Sequence, residues 1–498
     1  MASVELVCHT EDETQRLGET LAAAMRPGLL VALLGDLGAG KTALTRSVIR
    51  SAMADSDHEV PSPTFTLVQM YDGLPFGTLA HLDLYRIGEE EEVDELGIDE
   101  ALDTGVVLVE WPQRAASVLN HADLRIEIAV VESDARAVTI GGKTDAVSRV
   151  RRSLDIRSFL DREDYQDGTR RHLTGDASTR AYETVHTGRE PTRILMNAPA
   201  QPDGPPVRDG KPYSAIAHLA EDVSAFVGVD MLLRSQGFRA PQILASDLDA
   251  GLLLIEHLGD GLIIDHERRP IMARYEAAID LLAALHDCDW PNAVEIAPQR
   301  VHHVPDFDRE AMLIEVSLLA DWYAPNCLDR TLTEEERRQF NAVWNALIDR
   351  LEGAERSLVL RDFHSPNIVW NGAAEGHDRV GIIDFQDAMI GPTAYDVASL
   401  AQDARIDVST AQEARLVQRY CKTRKDLDID AFRQAYAIMA AQRATKVAGI
   451  FVRLSKRDGK HVYLDHLPRM EDYIRRTLAH PALADYAEWF STVFGNDG

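Results

Sequence analysis

The stretch LLVALLGDLGAGKTALTRSVIRSAMA, residues 29–54, decides how the first third of this chain folds. Residues 29–34 are uninterrupted apolar side chains, the signature of a strand buried on both faces. GDLGAGKT (35–42) then satisfies G-x-x-x-x-G-K-[ST], and a helical pattern follows at once. Strand, glycine loop and helix in that order are what a phosphate cradle needs. Gly35, Gly38 and Gly40 let main-chain N–H groups point inward, and the helix start adds its positive dipole end. In this reading Gly35, Asp36, Gly38 and Gly40 wrap the phosphates of ATP, Lys41 reaches the β and γ groups, and Thr42 ligates Mg2+. A chance glycine turn would not be expected to carry both flanking elements.

Outward from this loop, Leu17, Leu21, Ala24 and Met25 share one face of a helix upstream. Downstream, short apolar runs (FTLVQMY, TLAHLDLYR, GVVLVEWP, LRIEIAVVES, RAVTIGG) alternate with polar or helical pieces as far as about residue 142. The pattern predicts an α/β domain over 1–142. Asp83 in HLDLYR and Glu110 in VVLVEWP stand at the polar ends of two of these runs, where such a domain holds magnesium directly or through water. Taken singly, each fits a strand-end surface charge equally well.

Four ordered motifs, GDLGAGKT, SPTFTLVQMY (62–71), HLDLYR (81–86) and VEWPQR (109–114), resemble the TsaE family of P-loop ATPases, which support threonylcarbamoyladenosine formation in tRNA. The resemblance implies a nucleotide-sensing switch at Ser62, Pro63, Thr64 and Phe65, a magnesium ligand at Glu110, and Trp111 near the nucleotide. It also implies the proteins of the threonylcarbamoyl transferase complex as partners, reset through ATP hydrolysis.

Residues 143–160 are charged and mostly helical in pattern, and mark the expected linker to a second domain at 161–498. There a strand-rich stretch (YETVHT, TRILMNAP, QILASDLDAGLLLIEHLG) gives way near residue 270 to long amphipathic helices. A small β lobe followed by a helical lobe is the layout of a bilobal kinase. LRDFHSPNIVW (360–370) places Asp362 five residues before Asn367, and VGIIDFQDA places Asp384 seventeen residues after it. Phosphoryl transfer needs a carboxylate to orient the acceptor hydroxyl and take its proton, here Asp362. It also needs an amide and a second carboxylate to hold magnesium against the phosphates, here Asn367 and Asp384.

LTGDASTRAYETV (173–185) occupies the place of the nucleotide-covering loop. Gly175, Ser178 and Thr179 would admit phosphate to their amides, although a plain hairpin turn accounts for this segment equally well. LLLIEHLGD (252–260) fits the interlobe hinge, with the backbone of Glu256 and Leu258 facing adenine. The strand TRILMNAP has Met196 near where a kinase usually carries the lysine that pairs with the α and β phosphates. Arg180 is a candidate substitute, and a pseudokinase is the alternative.

Together GDASTRAY, LMNAP, RDFHSPNIVW, IDFQDAMIGPTAYDVASLAQDAR and RLSKRDGKHVYLDHLPRM look like the aminoglycoside-phosphotransferase superfamily, and within it the AmgK type of anomeric amino-sugar kinase. That family lacks the strand lysine, and the resemblance implies ATP-dependent phosphorylation of N-acetylmuramate and N-acetylglucosamine at the anomeric hydroxyl. The expected fold is thus an α/β P-loop NTPase domain followed by an α+β bilobal protein-kinase-like domain. Another small alcohol or an aminoglycoside is the alternative acceptor.

The remaining features narrow the choice. With 81 acidic against 52 basic residues the formal charge is −29, which argues against a broad nucleic-acid or anionic-membrane surface. No run of about 18 apolar residues occurs, so a cytoplasmic location is expected. Cys8, Cys288, Cys327 and Cys421 have no metal-like spacing. Neighbouring His302 and His303 do not face one another on a helix or a strand, which speaks against a metal site. Glu315, Trp322 and Tyr323 are candidates to line a sugar pocket or to pack in the core.

Overall fold

A computed structural model of the chain describes residues 2–132, 134–173, 180–188, 191–202 and 204–495. It divides into two compact units, one of Met1–Ala198 with Ala245–Asp247 and Leu252–Ile255, the other of Pro199–Leu244, Leu248–Gly251 and Glu256–Gly498.

The first unit begins with β1 (Ala2–Cys8), α1 (Glu11–Ala24), β2 (Leu29–Leu34), α2 (Lys41–Met53), β3 (Val68–Leu74) and β4 (Gly77–Asp83). It continues with α3 (Ile98–Thr104), β5 (Gly105–Glu110), α4 (Ala116–His121), β6 (Leu124–Val130) and β7 (Arg136–Gly142). The seven strands form one sheet in the order β1-β7-β6-β2-β5-β4-β3. Its centre is parallel: β2 runs alongside β5 and β6, and β4 alongside β5. The apolar run of β2 is explained by this position. Val31 and Leu33 enter a core shared with Leu21 and Leu44, whereas Leu30 and Ala32 enter the core on the opposite face with Val107 and Val118.

The charged segment after β7 is helix α5 (Thr144–Arg162). Ala146, Val147 and Val150 join the first of those cores, so this helix is part of the α/β body. A second, five-stranded sheet lies in the same unit. Its order is Ile243–Asp247, Leu252–Glu256, β10 (Arg193–Asn197), β9 (Ala181–His186) and β8 (Thr169–Leu173). It is tied to α5 by Arg152, which donates twice to Asn197 Oδ1 at 3.0 and 2.7 Å, and by Arg170, which donates to the Ser153 carbonyl at 3.0 Å.

The second unit is mainly helical, centred on the 30-residue helix Ile429–Asp458, most of whose middle is buried. Gly449 is required there, because a Cβ would come within 2.3 Å of the Leu318 main chain. Two short antiparallel pairs flank Asp362, Asn367 and Asp384 in sequence: Arg356–Val359 with Met389–Pro392, and Ile368–Trp370 with Val380–Ile382. Among the described residues, no helix is long and apolar enough to cross a membrane, and no cluster of three His, Cys, Asp or Glu could hold a metal.

Candidate active sites

The glycine loop leaves the C-terminal end of β2 and enters α2 at Lys41. Gly35, Gly38 and Gly40 have φ of 142°, 80° and 112°, values L side chains rarely adopt. At Gly35 a Cβ would also stand 2.4 Å from the Ile128 carbonyl oxygen. Lys41 is buried, and its Nζ donates to the Gly35 and Asp36 carbonyls at 2.7 and 3.0 Å. The same ammonium lies 3.8 Å above the Trp111 ring centre, and Trp111 is held there in a left-handed conformation at φ 58°. Burial lowers the Lys41 pKa, an effect opposed by Glu110, Asp83 and Asp36.

Asp83 and Glu110 end neighbouring parallel strands in direct register. Both carboxylates are buried and fully engaged. Thr42 donates its hydroxyl to Glu110 Oε2 at 2.7 Å, and His81 Nε2 lies 2.9 Å from the other oxygen. Thr64 Oγ1 donates to Asp83 Oδ2 at 2.7 Å, while the Tyr85 amide donates to Oδ1 at 2.9 Å. The strand-end surface-charge alternative therefore does not hold for either acid. His81 was not singled out by sequence reasoning. The alternation that places Asp83 two residues later on the same strand face was its signal.

In the second unit the hairpin Ile368–Trp370 with Val380–Ile382 sets Ile368 opposite Ile382, so Asn367 and Asp384 flank it side by side. Asn367 Nδ2 donates to the Asp362 carbonyl at 2.9 Å and lies 3.3 Å from Asp384 Oδ2. Gln386 Nε2 donates to Asp384 Oδ1 at 2.9 Å. Asp384 has φ 59° and Arg361, just before the proposed base, φ 70°: the loop is strained on both sides of the site.

That strain is held by buried partners. Asp396 accepts the Leu360 and Arg361 amides at 2.5 and 2.9 Å. The Arg361 guanidinium donates to the Ala217 carbonyl at 3.0 Å and to Glu315. Glu315 also accepts from Lys446 at 2.9 Å and from Gln442 at 2.8 Å. It is fully buried in this network, which makes it a support of the loop at 360–367 and not a pocket-lining residue; Tyr323 is core and Trp322 half-buried. Burial alone would raise the Asp362 pKa, but nearby cations, Lys446 foremost, outweigh it and hold the carboxyl below its ordinary value. The ionised form that accepts a proton is thereby favoured. Burial pushes Asp396 the other way, up to about 7, despite its two amide donors.

The expected nucleotide-side residues are less completely placed. Gly175, Ser178 and Thr179 lie outside the described residues. Arg180 leads into β9, and Met196 is buried on β10 opposite Tyr182. Leu258 is buried, and the Glu256 amide already donates to the Gln242 carbonyl at 2.8 Å, so of that residue's main chain only the carbonyl is offered to an adenine.

Comparison with known families matches two parts of the chain separately. The family described as threonylcarbamoyl adenosine biosynthesis protein TsaE matches residues 8–138, and the phosphotransferase enzyme family matches residues 169–441. The chain belongs to both families, in that order. The phosphotransferase part is 35% identical over 347 residues to the N-acetylmuramate/N-acetylglucosamine kinase of Caulobacter vibrioides, covering 67% of this chain and 94% of that protein. It is 30% identical over 329 residues to the kinase of the same name from Pseudomonas aeruginosa, covering 64% and 87%. The TsaE part is 36% identical over 135 residues to the tRNA threonylcarbamoyladenosine biosynthesis protein TsaE of Rickettsia felis, covering 27% of this chain and 78% of that protein.

Proposed function

We propose that the chain is bifunctional, with a TsaE-type ATPase over residues 1–142, a joining segment at 143–160 that packs as a helix on the ATPase core, and an anomeric amino-sugar kinase over 161–498. The kinase transfers the γ-phosphoryl group of ATP to the anomeric hydroxyl of N-acetylmuramate or N-acetylglucosamine, as the names of its relatives suggest. The observation that carries this reading is the convergence of Asp362, Asn367 and Asp384 on one strained loop and hairpin. In it Asp362 orients the hydroxyl and takes its proton. Asn367 and Asp384 present the hard oxygen donors that Mg2+ prefers, in a number that leaves room for phosphate oxygens and water. Thr42 and Glu110 form a comparable set in the first domain, joined 2.7 Å apart.

The N-terminal activity is ATP hydrolysis in the service of threonylcarbamoyladenosine formation, with the transferase-complex proteins as partners, as its family implies. Both activities belong to a cytoplasmic protein.

Magnesium-ATP-dependent phosphate transfer by the full chain, tried on N-acetylmuramate, N-acetylglucosamine, glucosamine and an aminoglycoside, tests the kinase reading. Sugar 1-phosphate should form, disappear in Asp362→Asn and persist in Lys41→Ala. Transfer only to the aminoglycoside would replace the acceptor, and no transfer at all would turn the reading towards a pseudokinase. For the first domain, ATP hydrolysis should rise when the transferase complex is added and be lost in Lys41→Ala; hydrolysis indifferent to both would overturn that assignment.

A further inference from the structure

A cavity of about 420 Å3 lies within the first unit, walled by α1, α2 and α5 and by the strands β8, β9 and β10, away from the glycine loop. Its size falls in the range of small-molecule sites. Its lining is unusual for a chain of net charge −29, because five arginines and two glutamates face it. The two acids are already used. Glu183 takes a two-pronged pair from Arg170, at 2.6 and 2.9 Å, and Glu19 accepts the Arg170 amide.

Three of the other arginines, Arg26, Arg149 and Arg171, are not neutralised to the same degree. Arg26 donates to the main-chain carbonyls of Ala23 and Met25, and among the described residues it has no carboxylate partner. Among the described residues Arg149 pairs only with Asp145, an exposed side chain 3.0 Å away, and its Nε is buried with no hydrogen-bond partner. Arg171 donates to the Ala54 carbonyl. Although Arg26 is exposed on one side, partial desolvation and then the like charge of Arg149 pull its pKa below the usual arginine value, with Glu183 opposing. Like charges brought together at a concave surface, one with an unmet buried donor, call for an anion. The rest of the wall mixes Ser51, His172 and Asn197 with apolar side chains, of which Pro27, Ala54 and Pro75 are exposed. A bare inorganic ion would leave that surface uncovered.

We infer that this cavity binds a small phosphorylated metabolite, its phosphate held by Arg26 and Arg149 and its uncharged body lying on an apolar floor of Pro27, Ala54 and Pro75. None of the lining residues is among those assigned to either nucleotide site. It joins the two halves of the unit, since Arg26 and Arg149 come from the α/β body while Arg171 and Asn197 belong to the small sheet. A bound ligand therefore bridges the ATPase body to the strands that carry Met196.

The test is equilibrium binding of three probes, inorganic pyrophosphate, glucose 1-phosphate and ADP, to the full-length chain. The chain carries Lys41→Ala and Asp384→Asn so that neither nucleotide site contributes. At least one probe should bind at one per chain, and adding Arg26→Gln with Arg149→Gln should weaken it at least tenfold. Arg26→Lys with Arg149→Lys should restore most of the loss, an outcome that a merely structural effect would not give. Thermal melting of each variant checks folding, and if the double variant melts early, Arg26→Gln alone, at the exposed rim, carries the comparison. Tighter binding of glucose 1-phosphate or ADP than of pyrophosphate supports the apolar floor. No saturable binding by any probe, or binding that the arginine variants leave unchanged, overturns the inference.

Discussion

In the first domain the groups that would meet a nucleotide stand at the ends of adjacent parallel strands, whereas in the second unit they hang on one short hairpin and the loop before it. Asp83 and Glu110 are in direct register, and each is pinned by a short side-chain bond, from Thr64 and from Thr42 of the glycine loop respectively. The sheet itself sets their spacing. Asp362 and Asp384 have no such frame; left-handed backbone conformations bring them to the site, and a buried network of Glu315, Arg361, Lys446 and Asp396 holds the loop. A strand edge positions ligands through main-chain geometry shared with the core. A strained loop needs its own buried charges, which are costly to desolvate and costly to break.

Breaking each arrangement in turn should show that difference. The largest effect is expected from Asp362→Asn, which removes the proton acceptor and should lower sugar phosphorylation by about 10^2–10^4-fold, with the melting temperature and ATP hydrolysis by the first domain unchanged. Glu315→Gln leaves Arg361 and Lys446 buried without their counter-charge. It should destabilise the second unit by about 3–5 kcal/mol, read by denaturant unfolding, and reduce transfer as well. Lys41→Ala should cut partner-stimulated ATP hydrolysis by about 10^2–10^3-fold and leave the kinase rate untouched, which separates the two machines.

A smaller effect concerns pH. His286 is fully buried against Tyr420, with Nδ1 2.8 Å from the hydroxyl, and burial lowers its pKa to about 3. An unfolded histidine titrates near 6.5. Between these values the unfolded chain binds the extra proton, so the folded state should lose stability as pH falls from about 6.5 towards 3. His286→Gln should make the fall in unfolding free energy, read by denaturant unfolding, shallower by at most about 1.4 kcal/mol per pH unit. An unchanged slope would mean that His286 is not held neutral.

Much of this was legible from the chain alone because local pattern and local chemistry coincide. The run at 29–34 must be buried on both faces, the glycines at 35, 38 and 40 must take unusual φ, and the acids at 83 and 110 terminate apolar runs; each is a short-range statement. The spacing of Asp362, Asn367 and Asp384 likewise belongs to one loop and one hairpin. Helix α5 illustrates the limit. Its charged composition reads as a connector, yet its apolar positions are enough to seat it on the first core.

What only the tertiary structure decided is which distant charges meet. Glu315 stands 46 residues from Arg361 and 131 from Lys446, and nothing in a helical apolar pattern distinguishes it from a pocket-lining acid. Arg26 comes from the connection after α1, Arg149 from α5 and Arg171 from β8, and their convergence on one cavity has no sequence period. Hydrophobic periodicity reports the environment of a residue along its own element, whereas long-range electrostatic pairing depends on how elements pack, and a one-dimensional pattern does not contain it.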